Sequence, residues 1–499
     1  MLLVPAHAAE NRMDALQHLP TSRTDLSPKD QDRVLGVTKP TQDFGEPEAF
    51  ESMQGGAGTS KKRVNRDSLS HFSSNISFEG EQTFKLGNAL FRKLWVSSPS
   101  STQASDGLGP LFNARSCQSC HLKDGRGHPP EGDSDATSMF LRLARPAETP
   151  DEIQALKDYV AINFPDPTYG GQLQDLAVPG LKAEGHMAIS YTELPILLDD
   201  GTQVLLRAPK YGAIDLNYGP LHPKTTLSPR IAPPMTGLGL IEAIHPADIL
   251  AKADKADSDG DGISGRPAIV RDANTGEITL GRFGWKAENP NVRQQSADAF
   301  AGDIGISSPD APRHHGDCTQ NQSACLSMAT GVQARLGTTE APDPIMDLVT
   351  FYSKNLAVPA RRNVDADQVL AGKQQFYKLG CTSCHTPKYV TSRKAENKEH
   401  RFQLIWPYSD FLLHDMGDGL ADSQQVGVAN GNEWRTPPLW GIGLTETVNG
   451  HTFFLHDGRA RNLEEAILWH GGEAQPARDG YVSLLKPERE ALRKFLESL

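Results

Sequence analysis

The feature that most constrains this chain is a five-residue pattern that occurs twice, Cys117-Gln-Ser-Cys120-His121 and Cys381-Thr-Ser-Cys384-His385. With six cysteines and 16 histidines in 499 residues, one such pattern arises by chance about 0.002 times and two on the order of a millionth. Two thiols at this spacing can add to the two vinyl groups of a haem, and the adjacent histidine then lies beneath the iron as proximal ligand. The pattern predicts two covalently bound haem c groups. Zinc sites and thioredoxin-like redox motifs also use Cys-x-x-Cys. Neither asks for histidine at the fifth position, and zinc pairs sit much closer in sequence than Cys117 and Cys381.

The residues ahead of each motif share a spacing. Gly372 and Phe376 lie four apart before the second motif, and Gly87 and Phe91 repeat this before the first, each pair on one helical face. The Gly372 stretch resembles the N-terminal helix of a cytochrome c domain, and the two halves read as a diverged repeat. The expected fold is therefore mainly α: two cytochrome c-type haem domains, with a large loop-rich insertion containing short strands in the first. Residues 1–70 are polar and aperiodic, a flexible leader. The first haem domain covers 71–355, with the insertion at about 130–280, and the second covers 356–499. Within the insertion, Gln203-Val-Leu-Leu-Arg207 is a strand-type run. Asp347–Tyr352 reads as a short helix. At the C-terminus Pro487 opens an amphipathic helix whose apolar stripe is Leu492, Phe495, Leu496 and Leu499.

The formal charge of −12 disfavours a basic-groove nucleic-acid binder. No run approaches the ~20 apolar residues of a membrane-spanning helix. Cys318 and Cys325, seven apart in a polar loop, read as a small disulfide or as a reduced buried pair. The N-terminal residues end in an Ala-x-Ala site (Ala6, His7, Ala8) that looks like the tail of a truncated signal peptide. With haem attachment outside the reducing cytosol, this predicts an exported, periplasmic protein. Asp257, Asp259 and Asp261 alternate before Gly262 as in a Ca²⁺ loop, but the twelfth position is Ala268. The segment is either a Ca²⁺ site or a solvated acidic turn.

An iron with two strong axial ligands carries electrons, whereas one with a vacant position can bind peroxide. Leu463, Ala466, Ile467 and His470 fall on one helical stripe between an Asn462 cap and the Gly471-Gly472 stop. His470 is thus the candidate sixth ligand of the second iron, opposite His385. For the first iron His128, His186, His222 and Met235 are candidates, and an open site is the alternative.

Five further segments carry a family resemblance: Gly107–Gly127 around the first motif, Tyr169-Gly-Gly-Gln-Leu-Gln-Asp, Tyr218-Gly-Pro-Leu-His-Pro, Leu413-His-Asp-Met-Gly-Asp-Gly and Arg435-Thr-Pro-Pro-Leu-Trp-Gly. From about Phe78 onward the chain resembles the di-haem oxidoreductase family, described as peroxidases or thiol oxidoreductases. That family is similar, more distantly, to bacterial di-haem cytochrome c peroxidases. The resemblance implies that Trp285 lies between the haems as an electron conduit, with Gln295 and Asp303 in the distal pocket of the first. Asp303 would then act as acid/base. The chain departs from the peroxidases in two places. It has Asp303-Ile-Gly where they carry Glu-Met-Gly, two residues closer to the Trp, and His470 where their high-potential haem takes Met. The implied function is a periplasmic, peroxidase-type oxidoreductase that takes a small oxidant such as peroxide and exchanges electrons with a small redox protein. The alternative is a non-catalytic electron carrier for a protein partner, including one in iron acquisition.

Overall fold

The computed structural model describes residues 15–102, 105–131 and 137–499; the Ala-x-Ala site lies outside them. Helices α1 (Phe78–Phe91), α2 (Val292–Ala299), α3 (Asp343–Lys354), α4 (Asp367–Lys378), α5 (Leu463–Leu468) and α6 (Lys486–Ser498) form the frame. Local chemistry sets their starts. The Ser77, Asn291 and Asn462 side chains accept from the amides of Gly80, Gln294 and Glu465, and Pro487 sits in the first turn of α6.

The expectation of a mainly α chain with two cytochrome c-type domains is not met. The chain is 29% helical and 17% strand, and its described strands pair two at a time in small separate sheets. The cause lies in the connections between the helices. Short apolar runs there satisfy their backbone groups by pairing with one neighbour, leaving loops between. Strand β1 (Met139–Ala144) thus pairs with β4 (Thr226–Ile231), and β2 (His186–Leu197) forms a hairpin with β3 (Gln203–Ile214), two strands of twelve residues each, the second containing the expected run Gln203–Arg207. Farther on, β5 (Leu413–Asp415) pairs with β6 (Glu433–Arg435) and sets His414 opposite Trp434.

The repeat is real at the level of helix pairs. A Cβ on Gly87 would lie 2.2 Å from the Leu348 carbonyl of α3, and one on Gly372 2.0 Å from the Ala491 carbonyl of α6. In both halves glycine lets two backbones touch. One turn on, Phe91 meets Tyr352 and Phe376 meets Phe495, each with ring centroids 5.1 Å apart. The same two phenylalanines lie 6.2 Å from the His121 ring and 6.0 Å from the His385 ring.

The two halves share a core. Met139, Leu206, Ile231 and Trp285 pack in one apolar cluster with Trp406, Trp434, Leu463 and Phe495. Residues 15–70 are not a loose leader. Pro28–Thr38 is helical, and buried Glu51 pairs with Arg361 and with Lys373, the latter at 2.8 Å. The Gln54 carbonyl accepts from the Trp406 amide. Charged partners far along the chain hold this segment, so its lack of apolar period hid its order.

Candidate functional site

The three histidines nominated from the sequence share one geometry. Nδ1 of His121 lies 2.8 Å from the Pro233 carbonyl, Nδ1 of His385 2.9 Å from that of Tyr408, and Nδ1 of His470 2.7 Å from that of Ala466. A carbonyl cannot donate, so each Nδ1 carries the proton and each Nε2 keeps its lone pair for a metal. Burial pushes His121 and His385 down to about 4 and lowers His470 as well. The neutral imidazole, the form able to ligate a metal, is therefore the resting form. A charge on His470 would lower His385 further, so the two rings lie within electrostatic reach of each other. His470 sits just past the C-cap of α5, half-buried.

Cys117, Cys120, Cys381 and Cys384 are unpaired, while Cys318 and Cys325 form a disulfide. Burial pushes the Cys117 and Cys381 thiols up to about 12. A redox-active pair needs an accessible thiolate, which this burial disfavours. Two thiols beside an oriented, neutral imidazole are what a haem group requires, and both motifs supply them.

Around the first motif the chain encloses a cavity lined by Cys117, Cys120 and His121. Trp285, Gln295 and Asp303 open onto the same space. Trp285 is anchored by its indole N–H to the Ile231 carbonyl at 2.9 Å, and Gln295 Oε1 accepts from Asn289 at 3.3 Å. Asp303 stands in a wide turn, Phe300–Ile304, that continues α2. Its backbone carbonyl accepts from the Asn113 and Ala114 amides, and its carboxylate accepts from Gln172 at 3.1 Å. Burial raises its pKa, and the nearby carboxylates of Asp317 and Asp298 add to the rise, against Arg142 and Gln172.

A family model described as "di-haem oxidoreductase, putative peroxidase" matches residues 51–499. The chain belongs to the di-haem oxidoreductase family. A search of curated proteins found no match.

In this di-haem oxidoreductase the other candidate ligands fall apart. Met235 lines the first cavity, two residues past the carbonyl that holds His121. His128 packs on His451, His186 is exposed on β2, and His222 lies near Glu148 at the surface. The carboxylates of Asp257, Asp259 and Asp261 do converge, with ligand atoms within 4.8 Å of one another. No described helix is long and apolar enough to cross a membrane.

Several contacts were not legible from spacing, although Trp285 and His414 belong to stretches that carry the family resemblance. Trp285 meets His456 edge-on at 6.4 Å, and His456 stacks on Trp434 at 3.7 Å. His414, opposite Trp434, sits with Nδ1 3.6 Å from the Cys384 sulfur and is held between Asp410 and Glu473. Burial opposes its charge, but these two carboxylates outweigh it and raise its pKa. A line of rings thus runs from the first cavity through Trp285 and His456 to Trp434, whose strand β6 pairs with the β5 strand that carries His414. The cavity is also rich in arginine: Arg126, Arg142, Arg230, Arg282 and Arg435 face it, against Glu288 and Asp303. Arg126 and Arg435, like His414, lie inside segments that carry the family resemblance.

Proposed function

We propose that this oxidoreductase binds one haem c covalently at Cys117 and Cys120 and another at Cys381 and Cys384. At the first, His121 would be the iron's ligand, and the group would supply reactivity toward peroxide or another small oxidant. At the second, His385 and His470 would hold the group, which would supply storage of electrons received from a small redox protein. The observation that carries this reading is the meeting of His121, Trp285, Gln295 and Asp303 in one cavity with the first pair of thiols.

An iron with a free coordination position supplies binding and cleavage of the oxidant's O–O bond. Asp303, whose burial favours the protonated carboxyl, delivers a proton to the departing oxygen, and Gln172 orients it. Trp285, His456 and Trp434 close the distance over which electrons travel between the halves. Two histidine ligands at the second iron favour a lower potential than the methionine of the related peroxidases. Haem attachment and the Cys318–Cys325 disulfide both favour an exported, periplasmic protein. Asp257, Asp259 and Asp261 are the site for a Ca²⁺ ion, and metal analysis after dialysis tests it.

Spectroscopy of the half-reduced protein separates enzyme from carrier. A high-spin or cyanide-exchangeable haem, together with peroxide turnover, is expected. Two low-spin irons inert to cyanide and peroxide would instead identify a pure electron carrier.

A further inference from the structure

Among the described residues eight arginines are buried, and five obey the ordinary rule that a buried charge is paired. Arg23 pairs with Asp25, Arg230 with Asp422, Arg361 with Glu51, Arg459 with Asp457 and Arg489 with Asp200. The remaining three, Arg126, Arg282 and Arg435, have no carboxylate partner, and all three line the first cavity.

Their hydrogen bonds go to neutral carbonyls only. Arg126 has one, to Leu455 at 3.3 Å. Arg282 uses one terminal nitrogen for Ile241 at 2.8 Å and Ile244 at 2.7 Å, with a longer contact to Glu242. Arg435 donates to Gly284 at 2.9 Å and Thr436 at 3.1 Å. A guanidinium carries five donors and does not release its proton in a protein. Burial lowers all three to about 10, still far above neutrality. Three fixed cations with spare donors face one cavity, and none has a carboxylate within ion-pair distance, although Glu288 in the same lining acts on Arg435 and Glu242 and Asp248 act on Arg282 through space.

We propose that Arg126, Arg282 and Arg435 bind the two propionate carboxylates of the haem attached at Cys117 and Cys120. This rests on the first haem occupying the cavity as proposed above. The arginine fork suits a carboxylate better than any monodentate cation. The rings of Trp285 and Phe454, 5.8 and 5.7 Å from the Arg126 guanidinium, hold its position. The three residues come from three separate segments, so propionate binding would tie the first motif to β6 of the second half. A dissolved carboxylate or phosphate offers similar chemistry, and the test distinguishes the two sources.

The experiment uses the full chain produced with haem attachment, as wild type, R126Q, R282Q, R435Q and the corresponding Lys variants. Two covalent haems in the wild type, counted as pyridine haemochrome, establish the underlying reading, and their absence would defeat that reading rather than this one. With two haems present, each Gln variant should lower the potential of the first haem only, because a lost cation favours the ferric state. Carboxylate bands of ¹³C-labelled propionates in infrared difference spectra should shift in the Gln variants and, less, in the Lys variants. Should a Gln variant fail to fold or to retain haem, its Lys variant carries the infrared test. Unchanged potentials and unchanged propionate bands throughout would overturn the proposal. So would binding of acetate or phosphate, seen in the Soret band, that the variants abolish while the propionate bands stay fixed.

Discussion

His470 shows how a single side chain can be read at two depths. Its place on an apolar stripe, seven after Leu463, was visible in the sequence, whereas its Nδ1 bond to Ala466, which frees Nε2, needed the folded turn. The same holds for His121 and His385. The Cys-x-x-Cys-His pattern is local and legible, but the carbonyls that orient the rings come from Pro233 and Tyr408, and no spacing rule connects them. Replacing His470 by Ala should remove the low-spin signature of one haem in magnetic circular dichroism; an unaltered spectrum would exclude it as ligand. Asp303→Asn should keep both haems and lower peroxide turnover about 100-fold or more, the usual worth of a positioned acid. Turnover equal to wild type would remove Asp303 from the chemistry.

At the level of elements the helix signals were sound and the strand signals weak. The Gly-Phe spacings at Gly87 and Gly372 foretold α1 and α4 because glycine and phenylalanine serve one contact each, a close backbone crossing and a ring against the motif histidine. The hairpin β2–β3 was legible only in part. Its strands carry Pro195 and Pro209 and are exposed or half-buried at nearly every position, so the two-residue alternation that marks a strand is blurred. The short pairs β1–β4 and β5–β6 join runs far apart in sequence, which no local pattern reveals. Gly372→Ala must push α4 from α6, since the new methyl would meet the Ala491 carbonyl at 2.0 Å. A loss of about 1–3 kcal/mol in urea unfolding is expected for such overpacking, and no loss would show that the crossing is looser than described.

For the molecule as a whole, the interlocked halves were hidden because their links are ionic or aromatic rather than periodic: Glu51 with Arg361 and Lys373, and Trp285 with His456 and Trp434. Burial at this scale also fixes the response to acid. It pushes His400 down to about 4 and His456 to about 3. The folded state resists protonating them while the unfolded chain accepts protons near its ordinary value of about 6.5. Their contribution is therefore complete above pH 6.5 and is lost as pH falls toward 4, on the order of 3 kcal/mol each. Urea midpoints measured between pH 7 and 4 should fall steeply, and His456→Gln should flatten the slope; a slope identical to wild type would mean that His456 is not buried neutral.

The central claim, that four cysteines are spent on two haems, meets its most direct test in the intact mass of the denatured protein purified from a host able to attach haem. The mass should exceed that of the chain by two haems, and by one when Cys117 and Cys120 are both changed to Ser. A denatured chain whose mass equals that of the polypeptide alone would contradict the account.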